Sequence, residues 1–235
     1  MAIRNIRMED DPLLRKKSKP VKEMNNRVSE LIQDLKDTMV KENGVGIAAP
    51  QTGVLKRIFL ITKEDGNVKT YINPEIIDKQ GVSIDFEGCL SVHSIRSGLV
   101  FRPQRIRIKA LDEDFNEFEE ELEDFIAREF CHENDHLNGI LYTDKLLDSN
   151  KVSEHIIDYL FLIEEIDEEE KDELKKNLYE NEYIYEDLDL DLIVEYLNKI
   201  REEKELFKDL PDDEALYVIL KDDFKYFDNF DEEDI

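Results

Sequence analysis

Between Glu23 and Lys41 the apolar residues Val28, Leu31, Ile32, Leu35 and Met39 return every three or four positions, which predicts an amphipathic helix that Asn43-Gly44 ends. The rhythm then changes. Residues 57–62 are almost continuously apolar and read as a buried strand, and Asp65-Gly66 marks a hairpin turn. Residues 71–77 read as an extended piece interrupted by Pro74, and residues 82–92 alternate loosely. Further strands are expected at 98–101, at 105–111 with a clean period of two, and at 117–122. Helical spacing returns with Phe125, Ile126, Phe130 and Leu137, and Asn138-Gly139 supplies the stop. Residues 1–150 therefore predict an α+β domain, its mixed or antiparallel sheets packed around this second helix.

Beyond residue 150 the texture shifts. Ile156, Ile157, Leu160, Phe161 and Ile163 suggest one helix, and Leu188, Leu190, Leu192, Ile193, Tyr196, Leu197 and Ile200 a second. Charge separates the two parts more sharply than hydropathy does. Of the net charge of −27, residues 151–235 carry −21 and residues 1–150 only −6. The reading is a nearly ordinary domain at 1–150 and an acidic, mainly helical extension at 151–235. That balance argues against stable nucleic-acid binding by the extension. No stretch is long and apolar enough to span a membrane, and residues 1–7 do not read as a secretory leader. Two cysteines, Cys89 and Cys131, make a poor disulfide framework and suggest metal binding or burial in a cytoplasmic chain.

The chemistry concentrates in Cys131-His132-Glu133-Asn134-Asp135-His136. On a helix, residues four apart share a face, so His132 and His136 can grip one ion while Glu133 stands beside it to handle a proton. A catalytic site of this kind wants a third protein ligand and leaves a position for water. Cys89 supplies it best, because a thiolate with two imidazoles suits zinc or ferrous iron. Cys131 competes but leaves a different side of the helix from its neighbour His132. Upstream, residues 44–51 (Gly-Val-Gly-Ile-Ala-Ala-Pro-Gln) lack side-chain bulk and permit close backbone approach by a strand or a ligand.

Three segments in order and register resemble the peptide deformylase family: residues 44–51, Glu87-Gly88-Cys89-Leu90-Ser91, and His132-Glu133-Asn134-Asp135-His136-Leu137. Asp11-Pro12-Leu13-Leu14-Arg15 and Leu137-Asn138-Gly139-Ile140-Leu141 fit as well, so the likeness spans about residues 3–147. The resemblance implies hydrolysis of the N-formyl group from N-terminal formyl-methionine of nascent chains. It implies one ion per chain on Cys89, His132 and His136, ferrous iron by preference with zinc, nickel or cobalt as substitutes. Glu133 would be the general base and acid, with Gln51 and the Leu90 N–H as oxyanion donors. Val45, Gly46, Glu87, Gly88, Arg96 and Glu129 would contact the peptide, which would add as a strand along a sheet edge. Glu87 is also expected to hold Arg102 beneath the ligand cysteine.

The sequence departs from the family at His93, where proline is common, at Cys131, where glutamine is common, and at Glu129, where an apolar or small residue near the methionine pocket is usual. Glu129 is expected to reach solvent or pair with a base, since an unpaired buried carboxylate is costly. Some family members dock on the ribosome through a basic C-terminal helix. None is evident here, so any ribosome encounter is expected to be transient. Two alternatives stand beside the deformylase reading. One is a His-Glu-x-x-His metallopeptidase drawing a ligand from Glu154, His155 or Glu164. The other is a formyl-peptide-binding protein with altered specificity or no turnover.

Overall fold

The computed structural model describes residues 2–93 and 97–147, with isolated positions between 157 and 216. The chain forms two compact units. One comprises Met1–Gly81, Glu87–Ser97 and Arg102–Lys145; the other comprises Val82–Phe86, Gly98–Phe101 and Leu146–Ile235. The expected helices of the extension fall almost entirely outside the described residues.

The first unit is built on a five-stranded antiparallel sheet. Its strands are β1 (Gly46–Ala48), β2 (Ile58–Thr62), β3 (Val68–Gln80), β6 (Arg105–Leu111) and β7 (Glu117–Glu123), neighbours in that order. Helix α1 (Asn26–Lys41) and helix α2 (Asp124–Asn138) complete it. β2 shows why its sequence is apolar at successive positions. Ile58 and Leu60 pack with Leu31, Ile32 and Leu35 of α1, whereas Phe59 and Ile61 pack with Ala127 and Phe130 of α2. The strand is buried on both faces, and each such side chain contributes roughly 1.5–3 kcal/mol by leaving water. Phe130 anchors α2, meeting Phe59 and Tyr71 edge-on at centroid distances of 4.9 and 5.1 Å.

The helix ends follow the local chemistry. The Asn25 side chain accepts from the Val28 N–H at the start of α1. α2 stops at Gly139 with φ 76°, where an added Cβ would sit 2.6 Å from the Arg15 carbonyl oxygen. The sequence interrupts the 71–77 piece at Pro74, yet β3 runs through it as one strand. The register shifts between Ile72 and Glu75, which accommodates the missing N–H. Asn73, at φ 50°, turns its side chain to the Val21 backbone, accepting from its N–H and donating to its carbonyl at 2.8 Å each.

Two expectations need adjustment. The 82–92 strand is shorter: β4 (Ser83–Glu87) pairs with β5 (Gly98–Arg102) in a separate two-stranded sheet, and the chain leaves strand geometry at Gly88. The small-residue stretch at 44–51 contains β1, an edge strand whose brevity hid it from a periodicity argument.

Candidate active site

α2 carries His132, Glu133 and His136 into the first unit, all buried. The loop after Glu87 turns Cys89 toward them. The Val92 N–H donates to the Cys89 carbonyl at 3.0 Å, and the Ser91 N–H lies 3.4 Å from the Cys89 sulfur. Cys89 Sγ is 3.2 Å from His136 Nε2, and one donor atom from each of Cys89, His132 and His136 lies within 4.8 Å of the others. His132 Nδ1 faces Glu87 Oε2 at 2.9 Å, which leaves its Nε2 for the site. Burial pushes the Cys89 thiol up, but the imidazoles of His136 and His132 outweigh it and hold the thiol well below its ordinary range. Burial alone would lower His132; contact with Cys89 and Glu87 holds it well above its ordinary value instead.

These donors fit a metal. A soft sulfur and two imidazoles converge, and one orienting partner is fixed behind His132. Cys131 lies elsewhere, in the apolar cluster between α2 and the sheet. His93 is exposed and stands apart from this donor set. The alternative ligands Glu154, His155 and Glu164 lie outside the described residues.

Glu133 is 2% exposed, and its Oε2 has no hydrogen-bond partner among the described residues. Burial raises its carboxyl well above the ordinary range; His132 opposes this, while Cys89, Glu129 and Glu87 add to it. Gly46 makes room for this carboxylate: an added Cβ would fall 2.5 Å from Glu133 Oε1. The backbone approach that the small residues permit is thus made by β1 to Glu133 itself.

Gln51, read alone, would pass for a surface amide, yet it is 1% exposed and locked. Its Oε1 accepts from the Ala48 N–H at 2.7 Å, so its Nε2 points to Ser91 Oγ at 3.2 Å and Cys89 Sγ at 3.5 Å. The Leu90 N–H in the same loop has no acceptor among the described residues. Two donors therefore border the ligand cysteine.

Of the expected peptide contacts, Val45 is exposed, Gly46 sits on the edge strand, and Gly88 is exposed. Arg96 lies outside the described residues. Glu87 requires correction. It is 4% exposed, and both oxygens are engaged by Arg102 at 2.7 and 2.8 Å, with Arg128 at 3.0 Å and His132 completing the set. It stands behind the ligands rather than facing a peptide. Glu129 is half-buried and is neither hydrogen-bonded nor ion-paired among the described residues.

Sequence reasoning missed Arg128, Asp135, Ser91 and Tyr142. Arg102 Nη1 donates to Asp135 at 2.6 Å, and Lys145 reaches the same carboxylate at 2.8 Å. Tyr142 stacks on His132 with centroids 5.8 Å apart. Arg128 was findable, standing one helical turn before His132; nothing local marked the others.

The family model for polypeptide deformylase matches residues 3–152. The chain belongs to the polypeptide deformylase family. Among relatives, peptide deformylase of Caldicellulosiruptor bescii is 49% identical over 147 residues, covering 63% of this chain and 87% of that one. Peptide deformylase 1 of Clostridium perfringens is 49% identical over 145 residues, covering 61% and 98%. The crystal structure of peptide deformylase from Thermotoga maritima aligns with a TM-score of 0.61 at 37% identity, covering 63% of this chain and all (100%) of that one. A Met-Ala-Ser-bound class I type b deformylase from Acinetobacter baumannii aligns at 0.59 with 30% identity, covering 62% and 99%. Deformylases are metal-dependent hydrolases that remove N-formyl groups from nascent peptides, and the α+β fold seen here is theirs. No described helix is long and apolar enough to cross a membrane.

Proposed function

We propose that Glu133, Gln51 and Leu90 carry out this deformylation on formyl-methionyl peptides, with one ion held by Cys89, His132 and His136. The observation that carries the reading is Glu133, a buried carboxylate with an unsatisfied oxygen, seated against Gly46 beside three converging donor atoms. A divalent ion held there supplies Lewis acidity and brings the ionisation of water toward neutral pH. Ferrous iron is the expected ion, with zinc, nickel or cobalt as substitutes.

Glu133 takes the proton of the attacking water as its oxygen bonds to the formyl carbon. The raised affinity of this carboxyl for a proton suits the next transfer, to the amine as the C–N bond breaks. Formate and a peptide with a free amino terminus result. The negative charge developing on the formyl oxygen meets the Gln51 Nε2 and the Leu90 N–H. Because Gln51 is fixed by Ala48 before substrate arrives, it needs no reorganisation during the reaction. The peptide adds along the edge strand β1, with Val45, Gly46 and Gly88 beside it. Residues 1–150 form the catalytic domain and 151–235 an extension whose sequence is strongly acidic, not basic, so any ribosome contact is transient. The site of action is the cytoplasm.

The test is turnover of formyl-Met-Ala-Ser by anaerobically prepared, Fe²⁺-loaded protein beside Glu133→Ala. Metal-dependent turnover that drops by roughly 10²–10⁴-fold in the variant is expected. A filled metal site without turnover, or a variant as active as the parent, sinks the assignment.

A further inference from the structure

The unpaired lysines of the first unit gather in one place. Lys36, Lys41, Lys63, Lys69, Lys109 and Lys145 each form an ion pair with a carboxylate. The ammonium groups of Lys16, Lys17, Lys19, Lys22 and Lys56 have no hydrogen bond or ion pair among the described residues, and all but half-buried Lys56 are exposed. Residues 15–22 (Arg-Lys-Lys-Ser-Lys-Pro-Val-Lys) include no acid; Glu23 follows them, and Arg15 is paired with Asp144. In a chain of net charge −27 this is a local reversal of sign. Charges act over about 8 Å at physiological ionic strength, so the strip presents its own field to whatever touches it.

The backbone holds these lysines in place. The Ser18 N–H donates to the Leu137 carbonyl at 2.8 Å, the Lys19 N–H to the Leu55 carbonyl at 3.1 Å, and the Arg57 N–H to the Lys19 carbonyl at 2.9 Å. Lys19 thereby lies beside Lys56. The Asn73 side chain holds the N–H and the carbonyl of Val21 at 2.8 Å each. Ser18 and Val21 are buried, which leaves Lys17, Lys19 and Lys22 to solvent. From Lys16 to Lys22 the row spans up to about 20 Å. A row of point charges on a fixed backbone can meet a regular polyanion without ordering that backbone first.

We propose that this lysine strip is a docking surface for the phosphate backbone of structured RNA, held through sequence-independent, salt-sensitive contacts. Lysine ammonium groups make contacts of this kind with phosphate oxygens. A stable protein interface centres on an apolar core, and firm membrane attachment inserts apolar groups. No large apolar side chain is exposed within residues 15–22 or 54–57, so the strip suits neither. None of these residues is aromatic, so the strip holds phosphates and does not stack on bases. The surface goes beyond the deformylase reading and stands without it; together they bring the enzyme to the RNA-rich machinery from which nascent chains emerge.

The experiment measures binding of the full chain to a fluorescently labelled RNA duplex by anisotropy, between about 50 and 200 mM salt. Poly-glutamate and vesicles of phosphatidylcholine and phosphatidylserine serve as the other anionic probes. The strip variant is Lys17→Gln, Lys19→Gln and Lys22→Gln together. Its control, Lys36→Gln, Lys41→Gln and Lys109→Gln together, has the same net charge but replaces paired lysines. Wild type is expected to bind the duplex with a Kd on the order of 10⁻⁴–10⁻⁶ M and a log–log salt slope of about −4. The strip variant should lose at least about tenfold in affinity and about 3 from the steepness of that slope, while the control stays within about twofold of wild type. Thermal melts of both variants should lie close to the parent's, which separates lost binding from lost folding. No binding to the duplex, binding that the strip variant leaves unchanged, an equal loss in the control, or binding to poly-glutamate or the vesicles as tight as to RNA overturns the proposal.

Discussion

A methyl group at position 46 has no room. The ideal Cβ of Gly46→Ala would lie 2.5 Å from Glu133 Oε1 and 3.0 Å from both Cγ and Cδ. Restoring ordinary contact of about 3.4 Å moves the Glu133 carboxylate, or β1, by roughly 0.9 Å. Gly46 does not have positive φ, so the backbone itself accepts alanine and the whole effect comes through that contact. Misplacing a catalytic group by about 1 Å costs on the order of 10²-fold, equivalent to about 2.7 kcal/mol of barrier. Overpacking should also lower stability by about 1–3 kcal/mol, offset by up to about 1 kcal/mol from the reduced freedom of the unfolded chain. The assay is kcat/KM on formyl-Met-Ala-Ser with thermal melts of Gly46→Ala, Glu133→Ala and the double variant. The stability cost of the methyl should vanish where Glu133 is already alanine, since the clash partner is gone. Full activity in Gly46→Ala, or an equal stability loss in both backgrounds, would refute the reasoning.

Two further outcomes follow from the charged network. Glu87→Gln removes the anion that His132, Arg102 and Arg128 share, so metal affinity measured by chelator competition should fall about 10–100-fold; unchanged affinity would deny Glu87 its orienting role. Glu120 accepts from Lys63, Lys69 and Tyr71; although burial alone pushes its carboxyl up, the two lysines hold it below its ordinary value. The folded chain therefore binds this proton more weakly than the unfolded chain. Glu120 contributes on the order of 1 kcal/mol above about pH 4.3, a contribution lost as pH falls through its lower folded value. Denaturant melts of wild type and Glu120→Gln should differ near pH 7 and converge toward pH 3; a gap that widens in acid would reverse the sign and refute the linkage.

Local pattern carried much of this structure. The spacing of Val28, Leu31, Ile32, Leu35 and Met39 placed α1, and the period of two at 105–111 placed β6, because one-sided burial imprints its period on the sequence. The pairing of His132 with His136, and the presence of Glu133 between them, likewise needed only helical geometry. Ligand chemistry put Cys89 forward and the likeness to deformylases settled it, whereas Gln51 came from the likeness alone and would otherwise have passed for a surface amide. Other features were set in three dimensions. Pro74 does not break β3, because a register shift absorbs it and Asn73 docks on Val21, residues far away in the chain. Gly46 is small because Glu133, 87 residues later, needs the space. Glu87 holds Arg102 as expected, but that Arg128 and His132 share the same carboxylate was set only by the fold. The sequence by itself determined which faces are apolar and which residue types can bind metal, since periodicity and side-chain chemistry are local. Tertiary structure decided which charges are paired, which carboxylates stay unsatisfied, and where a missing methyl matters, because those depend on atoms brought together only when the sheet and α2 pack.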